Sequence, residues 1–247
     1  MSISIKASAW GRILGAFGAA FLLACSETAP PSEHKPPAET QASAGISAPA
    51  GRYEMDRNHS GLQFRVGHLG LSNYVLRFNK FDIALTLDPD NPSASSVTAT
   101  IDPTSVETDY PGDYKAGHPD SPFQSFDEDL ERSPKFFRAA QYPQITFKST
   151  GVEQNLPGKL RVTGDLTLLG RTHPVTLDAT VVGAVAAHPF TKRGAIGFSV
   201  IGTFNRSTFG MTHLLQPPIV SDAVTVLFDG EFQQAAANDR AEAGGVQ

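Results

Sequence analysis

The feature that most constrains this chain is an alternation of apolar and polar residues with a period of two. Residues 81–88 show it clearly, with Phe, Ile and Leu at the odd positions and mostly polar residues between them. Similar runs cover residues 62–66, 96–101, 145–148, 160–168, 175–181, 196–200 and 224–228. Such runs are typical of antiparallel strands that bury one face. Turn-forming residues separate them, so the sequence predicts an all-β fold of about eight strands.

Two architectures fit this pattern, a β-sandwich and a closed β-barrel. A barrel leaves no exposed edge, and at about eight strands its interior holds side chains or one small ligand. Gly164 interrupts its run and predicts a bulge or bend, which closed sheets often need. Residues 107–140 break the alternation, and within them 125–132 and 133–138 predict short helical turns. We therefore expect a helical insertion near 123–140 that acts as a lid or binding loop.

The N-terminal residues have the pattern of a secretory signal. Lys6 and Arg12 precede an apolar stretch at 13–24, which is too short to span a bilayer as a helix. The stretch ends in the residues LLAC, which resemble a bacterial lipobox. This resemblance implies cleavage before Cys25 and lipidation of its thiol, and Ser26 then indicates the periplasmic face of the outer membrane. The alternative is an ordinary signal peptide followed by an incidental cysteine.

Composition divides the rest of the chain. Residues 25–51 are rich in Pro, Ala, Ser and Glu and predict a disordered tether, because they contain too little apolar surface to offset the entropy of ordering. Residues 52–234 form the predicted folded domain, and 235–247 a flexible tail. The expected order is thus a signal peptide at 1–24, a tether, one barrel domain and a tail.

Composition also excludes several classes of protein. A single cysteine rules out an internal disulfide framework, cysteine-based zinc sites and iron–sulfur clusters. A net charge of -5 without a basic run argues against nucleic-acid binding. The seven histidines lack metal-ligand spacing, so we predict no metal site and no cofactor. The 16 phenylalanines indicate a strongly apolar interior, either a solid core or a lined cavity.

Several motifs resemble a known family. Residues 56–70 (DRNHSGLQFRVGHLG) contain an acidic residue, a His-Ser pair and an alternating strand that ends in His-Leu. This segment resembles the opening of the YceI-like family, the lipid- or polyisoprenoid-binding proteins. Further similar segments follow in the family's order at 136–149, 162–172, 205–211 and 221–224. Arg77 replaces a frequent glycine and residues 113–120 replace a charged stretch, so the pocket entrance and the accepted head group differ from the family pattern.

The resemblance implies an extended, lipocalin-like antiparallel barrel whose apolar tunnel holds one long-chain amphiphile, such as a polyprenyl chain or a fatty-acid derivative. Residues on apolar faces or in the insertion are the candidates for its lining. They are Phe64, Phe81, Phe137, Phe147, Leu168 and Phe198. His59, His173 and Arg206 are candidates to contact a head group, because a phosphate or carboxylate attracts hydrogen-bond donors and positive charge. The alternatives are a solid core for the first set and structural hydrogen bonds for the second.

The sequence raises two other functions, a hydrolytic enzyme and an adaptor that binds a protein partner. Asp56, His59 and Ser60 have the residue types of a hydrolytic triad, but five consecutive positions do not form a nucleophile–base–orienter chain, and the sequence has no G-x-S-x-G elbow. We therefore predict no enzymatic activity. The main alternative is an envelope adaptor with a solid barrel that binds a protein partner. The expected partners are a long-chain lipid and, through Cys25, the membrane, while monomer and homodimer both remain open.

Overall fold

The computed structural model describes residues 46–216 and 219–236. In this part of the chain the strands are β1 (Gly51–His68), β2 (Ser72–Phe78), β3 (Phe81–Leu87), β4 (Ser96–Ile101), β5 (Val106–Glu107), β6 (Ile145–Leu156), β7 (Lys159–Leu168), β8 (Arg171–Val185), β9 (Ala195–Asn205) and β10 (Val220–Gln234). The helices are α1 (Tyr114–Gly117) and α2 (Phe126–Arg132), together with short 3-10 turns. The predicted signal peptide, the lipidation site at Cys25, most of the tether and the end of the tail lie outside the described residues. Neither α-helix has the length and apolar character needed to cross a bilayer.

The strands close into a barrel. Antiparallel pairing runs from β10 through β9, β8, β7, β6, β4 and β3 to β1, and β1 pairs in turn with β10. Tyr53 lies opposite Gln234 at this closure. The prediction of an all-β, eight-stranded antiparallel barrel is confirmed, and the sandwich alternative is wrong.

Two of the eight barrel strands are interrupted. Both β2 and β3 pair antiparallel with β1, so they form one long strand with a break at residues 79–80. Likewise β5 pairs with β2 and β4 pairs with β3, with a break at residues 102–105 between them. The ten segments therefore make eight barrel strands, and β1 compensates for the first break with a bulge at residues 56–59.

Alternation places the apolar side chains inside the barrel. In β7, Leu160, Val162 and Leu166 are buried, whereas Arg161 and Asp165 on the opposite face are exposed. Gly164 lies beside the β6 bulge, and a Cβ there would approach Phe147 Cζ at 2.4 Å. The glycine that predicted a bend is thus required because strand β6 comes too close for a side chain.

The insertion between β5 and β6 contains the predicted helix. Helix α2 begins after Ser125, whose Oγ accepts a hydrogen bond from Glu128 N at 3.1 Å, an ordinary N-cap. Leu130 is the buried residue of this helix. The helical turn predicted at 133–138 is wrong, because these residues form a non-helical turn that places Phe137 in the core.

The ordered domain begins earlier than the boundary expected at residue 52. Ala48 is only 2% exposed, and Tyr53 Oη donates to Pro49 O at 2.6 Å. Gly194 allows this packing, since a Cβ there would lie 2.6 Å from Pro49 Cδ. The Pro- and Ala-rich composition that predicted a tether to residue 51 is therefore compatible with packing once a glycine lies opposite.

Candidate functional site

The barrel encloses a cavity of about 260 Å³. Inward-facing residues of all eight barrel strands form its wall together with Phe137 of the insertion. The strand residues include Leu62, Phe64, Val66, Phe78, Phe81, Ile83, Leu85, Val97, Ala99, Ile101, Phe147, Leu166, Leu168, Val175, Phe198, Val200, Phe204, Val226 and Phe228. Among the described lining residues, polar side chains come only from Gln63, Ser95, Ser96 and Arg206. The cavity is therefore suited to hydrocarbon and offers few partners to a polar solute.

All six predicted lining residues lie in this wall: Phe64, Phe81, Phe137, Phe147, Leu168 and Phe198. Phe64 stacks on Phe78 with ring centroids 5.1 Å apart, and Phe137 packs edge-on against both rings. The insertion thus contributes an aromatic ring to the wall. Contact of the six residues with a ligand stays a prediction.

Arg206 lies in the wall but uses its donors on the main chain. Its side chain is buried, and its guanidinium donates to the carbonyl oxygens of Ser221 at 2.8 Å, Val220 at 3.1 Å and Met211 at 3.2 Å. Burial lowers the pKa of Arg206, and the nearby Asp222 carboxylate opposes that shift. The residue therefore ties the β9–β10 connection to the start of β10, and its predicted contact with a head group stays a prediction.

The two predicted histidines lie elsewhere, so the structure does not bring them together with Arg206. His59 belongs to the β1 bulge, where its side chain is 63% exposed and its Nδ1 lies 3.0 Å from Asp56 Oδ2. This hydrogen bond raises the pKa of His59 and lowers that of Asp56. His173 is half-buried, with its ring edge-on to Phe209 at 5.3 Å. Neither histidine lines the cavity.

The bulge also separates the residue types that resemble a triad. Asp56 and His59 form a pair, but Ser60 Oγ has no hydrogen-bond partner among the described residues. Glu231 brings a third ligand-type atom within 4.8 Å of the Asp56 and His59 atoms. Asp56 and His59 are joined by their hydrogen bond, and the negative charge of Glu231 also raises the pKa of His59.

A second pocket, of about 320 Å³, was not predicted from the sequence. This side pocket lies in the barrel wall between the β1 bulge and the break that separates β2 from β3. Its lining consists of Met55, Arg57, Ser60, Gly61, Leu62, Gln63, Arg77, Phe78, Asn79 and Phe81. The sequence feature that marks this pocket is the polar pair Asn79-Lys80, which interrupts the alternation between Phe78 and Phe81.

A closed eight-stranded antiparallel barrel around an apolar cavity defines a class of β-barrels that enclose ligands. Comparison with known proteins identifies the family within this class. Residues 53–232 match the YceI-like domain, and the chain belongs to the YceI-like family.

Relatives support the same assignment. The chain is 40% identical to protein YceI of Escherichia coli O157:H7 over 173 residues. This alignment covers 69% of this chain and 82% of the relative. It is 36% identical over 195 residues to a UPF0312 protein of Pectobacterium carotovorum, covering 78% and 92% of the two chains.

Solved structures show the same fold. The crystal structure of Campylobacter jejuni YceI has a TM-score of 0.54 and 26% identity, covering 69% of this chain and 90% of that one. Burkholderia cenocepacia BcnA has a TM-score of 0.57 and 23% identity, covering 72% and 98%, and it shows likeness of fold alone.

Proposed function

We propose that this protein binds a long-chain amphiphilic lipid, a polyisoprenoid or a fatty-acid derivative, in the barrel cavity, and that it transports, stores or sequesters it without chemistry of its own. The observation that carries the proposal is the almost wholly apolar wall of the cavity. Each methylene group transferred from water to such a wall contributes about 0.8 kcal/mol. A small polar metabolite would instead lose its hydrogen bonds to water without replacement. A ligand for this wall must therefore be mostly hydrocarbon.

Native mass spectrometry of the protein purified from a bacterial envelope tests this proposal. We expect a discrete adduct of lipid mass that is released on denaturation and identified in an organic extract. A bare mass that stays unchanged after polyprenyl and fatty-acyl lipids are offered would contradict lipid binding. An envelope adaptor that binds a protein partner would then become the leading hypothesis.

A substitution that fills the cavity, together with a control at an exposed position, provides a second test. Phe198→Trp places a larger ring in the wall, where it competes with the lipid for space. We expect loss of the adduct with a retained β-sheet circular dichroism spectrum. Phe190→Trp is the control, because this side chain is 87% exposed in the β8–β9 loop and the adduct should persist.

We also propose that Cys25 carries a lipid anchor and that the barrel faces the periplasm from the outer membrane. The support is the apolar stretch at 13–24 and the lipobox-like end of that stretch. Cys25→Ala should move the protein from the membrane fraction to the soluble fraction, whereas Ser26→Ala should leave it in the membrane. Persistent membrane association of Cys25→Ala would show that lipidation is not the cause.

A further inference from the structure

The side pocket and the apolar cavity adjoin each other. Leu62, Gln63, Phe78 and Phe81 line both of them. A lipid head that reached the side pocket from the cavity would pass between these shared side chains. The two compartments differ in character, because the side pocket contains two arginines, an asparagine and a serine, whereas the cavity is apolar.

Ser60 provides an unused hydrogen-bonding group at this junction. It follows the same alternation as Leu62 and Phe64, the inward-facing residues of β1. Its Oγ is buried and has no partner among the described residues. A buried hydroxyl without a partner is unfavourable, so a polar atom of a ligand at this position would restore a lost hydrogen bond.

The charges around the side pocket decide which head group it accepts. Arg57 Nη2 lies 2.8 Å from Asp82 Oδ1, and Arg77 Nη2 lies 2.8 Å from Glu107 Oε1. Arg77 also pairs with Asp109. Two guanidinium groups are thus matched by three carboxylates, and a phosphate would have to displace these carboxylates while being repelled by them.

We propose that the side pocket receives the polar head of the bound lipid, that Ser60 Oγ hydrogen-bonds it, and that this head is an uncharged oxygen-bearing group such as a hydroxyl or a carbonyl. The inference rests on the proposed lipid binding and adds the position and the charge of the head group. It places the head at the middle of the barrel wall and the chain along the apolar cavity.

Three probes with C20 isoprenoid skeletons test the inference on the delipidated full chain: geranylgeraniol, geranylgeranyl diphosphate and phytane, which has no head group. In the unmodified protein, geranylgeraniol should bind at least about tenfold more tightly than the diphosphate, because the diphosphate meets uncompensated negative charge. Glu107→Gln should reduce the difference in affinity between geranylgeraniol and the diphosphate, because it removes one of the three negative charges. Tighter binding of the diphosphate would overturn the assignment of an uncharged head.

Ser60→Ala tests the hydrogen bond. We expect about 3–10-fold weaker binding of geranylgeraniol and unchanged binding of phytane, since one hydrogen bond is lost and the chain contacts remain. The lipid-free variant should melt about 2–4 °C higher, because the unpaired buried hydroxyl is gone. Ser93→Ala is the control, because this exposed serine lies in the turn between β3 and β4 and lines neither the cavity nor the side pocket.

The outcomes separate this inference from the proposed function. If the protein retains none of the three probes, lipid binding fails and this inference with it. If it retains them but Ser60→Ala binds geranylgeraniol as tightly as the unmodified protein, the head group lies elsewhere and lipid binding stands.

Discussion

Replacing Arg206 with methionine should destabilise the barrel more than a substitution at an exposed arginine. Arg206 is 3% exposed and gives three hydrogen bonds to main-chain carbonyls. Hydrogen bonds from a charged group contribute about 1.5–3 kcal/mol each, but water reaches the freed carbonyls and recovers part of the loss. Methionine keeps the apolar packing of the arginine stem. We therefore expect the free energy of unfolding to fall by about 3–5 kcal/mol.

Urea unfolding of the lipid-free protein, followed by circular dichroism, measures this loss. With a denaturant slope of about 1–3 kcal/mol/M, the midpoint should fall by more than about 1 M. Arg161→Met is the control. Among the described residues Arg161 pairs only with Asp178, at 3.9 Å and exposed, and loss of this ion pair should change stability by less than about 1 kcal/mol. If Arg206→Met remained within about 1 kcal/mol of the unmodified protein, the main-chain contacts would not hold the β9–β10 connection.

Three further predictions concern packing and titration. Gly164→Ala should lower stability by about 1–3 kcal/mol in urea unfolding, because the new methyl group overlaps an aromatic ring of β6, whereas Gly151→Ala, with open space around it, should be nearly neutral. NMR titration should show the pKa of His59 above its usual value of 6.5, and Asp56→Asn should return it toward that value. Burial lowers the pKa of His213, so the unfolded chain binds the proton more tightly, and the contribution of this residue to stability should decrease as pH falls below 6.5. A His213→Gln variant that keeps the same pH dependence of the urea midpoint would contradict this assignment.

Alternation was sufficient to predict the antiparallel strands and their inward-facing residues, whereas the choice of a barrel over a sandwich depended on the resemblance to the YceI-like family. A period of two determines which side chains share a face, and the apolar face of a closed sheet must be the inner one. Phe81, Phe147 and Phe198 could be placed in the wall from their neighbours in sequence alone. The neighbouring strands need not be known for this inference.

The same pattern fails where strands are interrupted. A bulge resets the alternation, so the β1 segment before Leu62 could not be assigned to either face from sequence, and His59 is exposed in the bulge and does not line the cavity. Arg206 donates to the carbonyl oxygens of Met211 in the irregular β9–β10 connection and of Val220 and Ser221 at the start of β10, and alternation does not predict such contacts. The side pocket depends on a bulge in one strand facing a break in another, and neither signal alone indicates a cavity.

Pairing of the first strand with the last has a consequence for how the protein is made. Tyr53 pairs with Gln234, and Ala235 N donates to Arg52 O at 2.8 Å. These contacts join nearly opposite ends of the folded domain, so loop-closure entropy makes their formation slow. During synthesis the ring cannot be completed until the final strand has emerged from the ribosome. The earlier strands then expose unpaired edges and apolar faces, and the nascent chain should depend on chaperones until translation is complete.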